Sequence, residues 1–100
     1  MSEPRFSQRA ERDPEGIWDY IAQSHPLNAS HFINELLGVT QRLADAPRIG
    51  RLRPALRKGL RVLPHGSYLV LYTVVEDVVR ILRIVHGSRS IVEIMRDLDD

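Results

Sequence analysis

The chain has 100 residues, 43% hydrophobic and 27% charged, with a formal net charge of +1. That length supports one domain with a small core. The composition is ordinary for a soluble globular protein, and so small a net charge excludes a general polyanion binder. With no cysteine, neither a disulfide framework nor a thiolate metal site is possible. No apolar run approaches the ~20 residues a membrane helix needs, and the N-terminus lacks the apolar core of a signal peptide. A cytoplasmic protein is expected.

Residues 4–6 fit a short strand. From Ser7 the pattern turns helical: Ala10, Asp13, Pro14, Ile17, Tyr20 and Ile21 follow the three-four spacing of one helix face, with Trp18 and Ala22 beside it. A proline in a helix interior costs about 3 kcal/mol. The segment is therefore expected to kink near residue 13, or to restart there with Asp13 as N-cap and Pro14 as first helical residue. The helix should end near Ser24, before His25 and Pro26. A second helix begins at about Pro26, which suits a first turn. Ala29, Phe32, Ile33, Leu36, Leu37, Thr40, Leu43 and Ala44 form its apolar stripe, and Pro47 stops it. So short a connection makes the two helices an antiparallel hairpin.

A basic loop follows. Arg48, Arg51, Arg53, Arg57, Lys58 and Arg61 lie between Pro47 and Leu63 with no acid among them. The period then changes to two, predicting strands over residues 60–63, 68–74 and 78–86. Pro64, His65, Gly66 and Ser67 form the first turn, and Glu76 and Asp77 the second. Connections this short make the strands antiparallel. The middle strand is apolar on both faces, as a central strand should be. Gly87 breaks the last strand, and Ile91, Ile94, Met95 and Leu98 predict a short terminal helix with Ser88 as N-cap and an acidic end at Asp97, Asp99 and Asp100. The fold class that results is α+β, a single domain over residues 1–100. An N-terminal strand and an antiparallel helical hairpin pack on a small antiparallel sheet, with a short C-terminal helix. The other sheet face is left open or partly covered by that helix, a surface that calls for a partner.

Few residues offer chemistry. His25, His31, His65 and His86 have no ligand spacing with one another or with carboxylates, so no metal site and no cofactor are expected. Neither Ser67 nor Ser88 sits in a strand–turn–helix elbow. RNA cleavage is the serious catalytic option, with Arg61, Arg80, Arg83, Arg89 and His86 as cations and acid. It lacks a base: Glu76 and Asp77 lie about 30 Å from His86 at ~3.3 Å per strand residue. Trp18, Tyr20, Tyr68 and Tyr72 are better read as core packing than as stacking platforms for nucleic acid.

The order of motifs resembles the ParE branch of the RelE/ParE toxins. Ser7, Ala10 and Asp13 followed by Ile17-Trp18-Asp19-Tyr20-Ile21-Ala22 is similar to the family's first helix, and Pro26, Ala29, Phe32 and Ile33 to the start of its second. The more specific marks are Gly50-Arg51-x-Arg53-Pro54, Gly59-Leu60-Arg61, Gly66-x-Tyr68 and Val85-His86-Gly87-x-Arg89. Two positions depart from the family pattern: Pro14 stands where an apolar residue is usual, and Ser90 where Asp is common.

The resemblance implies the toxin of a type II toxin–antitoxin pair, acting on DNA gyrase by protein binding. It also implies neutralisation by a ParD-like antitoxin, with no membrane and no sequence-specific nucleic acid as partners. The RelE branch instead cleaves messenger RNA on the ribosome. A single lysine, Lys58, and no tyrosine after Tyr72 favour the ParE branch. A toxin-fold module that has lost toxicity is the third alternative. Target contact is expected first at Arg61, Arg83, His86 and Arg89, and second at Arg51 and Arg53. The competing expectation for Arg83 is burial against an acid such as Asp19.

Overall fold

The computed structural model describes residues 3–98, so the expected acidic positions Asp99 and Asp100 lie outside the described residues. In chain order the elements are β1 (Arg5–Phe6), α1 (Gln8–Ala22), α2 (Pro26–Asp45), β2 (Arg51–Leu52), β3 (Arg61–His65), β4 (Tyr68–Val75), β5 (Val78–His86) and α3 (Ile91–Leu98). The five strands form one sheet in the order β1-β5-β4-β3-β2. The expected α+β layering is present. The sheet is mixed, however, because β1 joins β5 in parallel while the other pairs are antiparallel. The helical connection α1–α2 between β1 and the rest of the sheet is long enough to return β1 to that edge in either direction.

Alternation along the strands sorts side chains between two cores. Tyr68, Val70, Tyr72, Val79, Ile81 and Ile84 face the helical hairpin and meet Ala10, Ile17, Leu36 and Leu43. Leu60, Val62, Leu71 and Val85 face the opposite way, where α3 lays down Ile94 and Met95. The sheet's second face is therefore partly roofed by the terminal helix. β4 is the central strand and is buried on both sides, as its unbroken apolar run requires.

Several local expectations need correction. α1 runs without a break through Pro14 and is capped by Ser7, whose hydroxyl accepts from Ala10 N at 3.0 Å. Asp13 is not the cap, because its carboxylate is drawn to β5 instead. Trp18 and Tyr20 were expected in the core, yet they are 39% and 68% exposed. They flank the stripe of Ala10 and Ile17 rather than lying on it, and the Trp18 indole N–H donates to Ser30 Oγ at 3.2 Å across the hairpin. β3 continues through Pro64 and His65, leaving Gly66 and Ser67 as a two-residue turn with Gly66 at φ +59°. Ser90, not Ser88, caps α3, accepting from Glu93 N at its hydroxyl and from Ile94 N at its carbonyl.

Candidate functional site

β5 is where the helical hairpin and the sheet are fastened together. Its pairing with β4 carries a bulge: Leu71 opposes Arg83 and Tyr72 opposes Ile81, so Leu82 is the extra residue. The parallel partner β1 ends at Phe6, which leaves the outer edge of β5 unpaired from there on. Side chains of the first helix satisfy that edge. Ser7 Oγ donates to the Leu82 carbonyl at 2.8 Å, and Asp13 Oδ2 accepts from Ile84 N at 2.8 Å. The same Asp13 carboxylate takes a two-pronged contact from Arg83, at 2.9 Å from Nε and 3.0 Å from Nη2. The two side chains are only 10% and 12% exposed. Arg83 therefore does meet an acid of the first helix, but the partner is Asp13, not Asp19.

His86 ends β5 on an exposed rim. Its Nδ1 accepts from Ser88 N at 3.1 Å and lies 2.8 Å from Ser88 Oγ. Accepting from a backbone N–H places the neutral ring's proton on Nε2. The ring stands edge-on to Tyr68 with centroids 5.2 Å apart, and Phe32 bridges Tyr68 to His65 at 5.4 and 5.5 Å. Beside this aromatic row lies a shallow cavity of about 350 Å³ with Arg12, Tyr20, His86 and Arg89 at its mouth and Ile17 and Ile84 in its floor. Burial pushes the Tyr68 phenol above its usual pKa, with the neighbouring Tyr20 adding to the shift. The cavity thus offers two guanidinium groups, an imidazole and phenols over an apolar floor. Among the described residues the one carboxylate that lines it, Asp13, is already committed to Arg83 and Ile84.

The basic loop is anchored at the other end of the same strands. Tyr72, fully buried, donates its phenol proton to the Pro47 carbonyl at 2.8 Å and accepts from Gly50 N at 2.8 Å. Arg61 Nη1 donates to the carbonyls of Gly50 and Arg48 at 2.8 and 3.2 Å. A Cβ at Gly50 would sit 2.5 Å from Tyr72 Oη, so only glycine fits under the phenol. Burial raises the Tyr72 pKa, while the Gly50 hydrogen bond and the Arg61 charge pull the other way. The clamp fixes the entry of β2, on which Arg51 pairs with Val62 of β3, and Arg53 N then bonds the Leu60 carbonyl at 2.8 Å. Arg51 and Arg53 stand exposed on that rim.

The six expected contact residues thus divide. His86 and Arg89 are exposed at one end of the sheet, and Arg51 and Arg53 at the other. Tyr68, which opens β4, and Tyr72, in its middle, are four residues or about 13 Å apart. Arg61 and Arg83 have their guanidinium groups bonded within the protein. Sequence reasoning missed Arg12 and Tyr20 at the cavity, and the Tyr72 clamp. For Asp13 a signal existed: a carboxylate on the apolar stripe of a helix implies a buried cation opposite, and Arg83 in an apolar strand is its counterpart.

Comparison with known proteins agrees with this architecture. Residues 5–91 match the family model described as the ParE toxin of the type II toxin–antitoxin system parDE. The chain is 36% identical over 89 residues to Toxin RelE2 of Caulobacter vibrioides, covering 89% of this chain and 99% of that one. It is 34% identical over 91 residues to Toxin ParE1 of the same organism, covering 90% and 94%. Toxin ParE1 of Mycobacterium tuberculosis is 33% identical over 88 residues, covering 86% and 90%. A solved structure titled "Chromosomal ParDE TA system from P. aeruginosa" superposes with a TM-score of 0.75 at 21% identity, over 86% of this chain and 96% of that one, a likeness of fold. The helical hairpin on a five-stranded sheet and the family match over residues 5–91 together make this chain a member of the ParE toxin family of type II toxin–antitoxin systems.

Proposed function

We propose that this toxin acts on DNA gyrase by protein binding rather than by cleaving RNA, and that a ParD-like antitoxin neutralises it in the cytoplasm. The observation that carries the reading is the state of Asp13. It lines the same cavity as His86 and Arg89, and it accepts from Arg83 Nε, Arg83 Nη2 and Ile84 N. Its oxygens are engaged inside the protein, so it is not placed to take a proton from a substrate hydroxyl at that rim. His86 and Arg89 supply the leading target contacts in this reading, with Arg51 and Arg53 on the opposite rim. Arg61 and Arg83 hold the two rims in shape. Arginine on an exposed rim suits bidentate contact with a partner's carboxylates.

The RelE-like reading has one observation in its favour: a relative at 36% identity is named Toxin RelE2. Induced expression without an antitoxin, followed by primer extension on translated messages, separates the readings. Growth arrest with intact messages is the expected result. Arrest with site-specific cuts in translated messages would overturn the gyrase reading, and undisturbed growth would identify a toxin fold that has lost its activity.

A further inference from the structure

We propose that the cavity between α1 and the end of β5 is a binding site for a small amphipathic carboxylate, an acid group carried on an aromatic or branched aliphatic body. The cavity holds about 350 Å³, within the range of about 300–1,000 Å³ typical of small-molecule sites. Both layers of the fold build it. α1 contributes Arg12, Gly16 and Tyr20, which follow one another at helical spacing along one face. The sheet contributes Tyr68 and His86, register partners on β4 and β5, and Arg89 just beyond them. Ile17 and Ile84 form the floor.

Two observations point to a ligand. Tyr68 is only 8% exposed, yet its hydroxyl makes no hydrogen bond among the described residues and is not sealed from solvent. Tyr72, the other tyrosine of β4, makes two. Phenol hydroxyls taken into a fold usually find a partner, and the cavity that Tyr68 lines is where a partner from outside would sit. The second observation is Gly16. Glycine within a helix is less stable than alanine, and packing does not require it here, because a Cβ would meet nothing within 4 Å. Its missing side chain leaves the wall between Arg12 and Tyr20 open.

The lining selects an anion with an apolar body. Arg12 and Arg89 carry no ion pair among the described residues, whose salt bridges use Arg48 and Arg83. Asp13 is neutralised by Arg83, so the lining is left positive. His86 Nδ1 accepts from Ser88 N, which leaves Nε2–H as a further donor. A guanidinium pairs with a carboxylate through two parallel hydrogen bonds, and the Tyr68 hydroxyl can donate to the same charge. The isoleucine floor and the tyrosine rings take the ligand's body. A bare phosphate would shed water onto that floor and gain no contact in return. The ligand would share His86 and Arg89 with the target contact proposed above, but the inference rests on the cavity alone and holds whichever target the toxin has.

Isothermal titration calorimetry of the full chain tests the site with naphthoate, with naphthalenemethanol as the neutral arm and inorganic phosphate as the bare anion. The expected result is saturable binding of naphthoate that weakens with salt, with the alcohol and phosphate each about tenfold weaker or more. Tyr68→Phe should lower naphthoate affinity about tenfold and melt at or above the wild-type temperature, because the hydroxyl it removes has no partner to lose. Gly16→Leu should melt higher, since leucine favours the helix and nothing crowds its Cβ, and should abolish binding by filling the cavity. No saturable binding of naphthoate, or wild-type affinity in both variants, would overturn the proposal. A lower melting temperature in Tyr68→Phe would overturn it by giving the hydroxyl a structural role. Equal affinity for the alcohol would reduce the cavity to an apolar cleft, and equal affinity for phosphate to a general oxyanion site; either result would also overturn it.

Discussion

Arg83 combines two roles that its place in the sequence cannot separate. It belongs to the strand that carries the His86–Arg89 rim, and it is itself nine-tenths buried against Asp13. Removing one partner of such a pair leaves an unpaired charge in a low-dielectric setting, which costs about 3–5 kcal/mol. Arg83→Ala is therefore expected to lower the unfolding free energy by that amount in denaturant titration, and any loss of toxicity in that variant will follow from unfolding. Tyr72 is the counterpart at the other rim. Tyr72→Phe leaves the Gly50 N–H and the Pro47 carbonyl without their partner, a loss of about 1–3 kcal/mol. Its pH dependence has a definite sign. Burial raises the folded-state pKa of both Tyr72 and Tyr68 above the ordinary 10.0. The contribution is complete below pH 10, where both states are protonated, and is lost as pH rises above 10 because the unfolded chain releases its protons first. Urea melts across that range should show stability falling, and Tyr72→Phe should show a shallower fall. A flat profile in the wild type would contradict the clamp's burial.

At the scale of elements, the sheet's two edges are both blunted. The β5 edge is capped beyond Phe6 by Ser7 and Asp13. The β3 edge carries Pro64, which a sheet tolerates only where no ladder bond is needed from its nitrogen. Faces rather than edges are thus left for partners. The β4–β5 turn is a strained connection: Glu76 and Asp77 both have positive φ, 52° and 63°, the conformation of a type I′ hairpin. Glu pays more for it than Asn, which visits the left-handed region readily. Glu76→Asn should raise the unfolding free energy by roughly 0.4–1 kcal/mol, read as a higher melting temperature. An unchanged or lower value would mean that Glu76 makes a compensating contact. The elements themselves were legible from periodicity, because long apolar stripes and two-residue alternation survive tertiary context. Boundaries set by a single contact were not. Ser7 caps α1 because Leu82 needs its hydroxyl, and Pro14 stays inside the helix with its neighbour Asp13 tied to β5. β2 was invisible because its two residues owe their strand geometry to Tyr72 and Arg61, far along the chain.

At the scale of the molecule, the family was written in the order of short motifs, while the grouping of their cations into two separate rims was not. Sequence spacing placed Arg61, Arg83, His86 and Arg89 on one strand system but could not show which guanidinium groups are spent internally. The helical hairpin also exposes Trp18, Leu27 and Leu37, apolar surface that an antitoxin segment would cover. Coupled folding of such a segment buries on the order of 1,000–3,000 Å². An apolar interface of that kind should persist in high salt on size-exclusion chromatography, whereas full dissociation at moderate salt would point to a mainly electrostatic contact. Toxicity is proposed to reside elsewhere, on the rim of His86 and Arg89. The most direct test of that claim is a supercoiling assay with purified gyrase, titrated with the wild-type chain, His86→Ala and Arg89→Ala, each first shown to melt like the wild type. The account predicts inhibition by the wild type and a loss of about tenfold or more in potency for each variant. Gyrase unaffected by the wild-type chain, or inhibited equally by all three proteins, would contradict it.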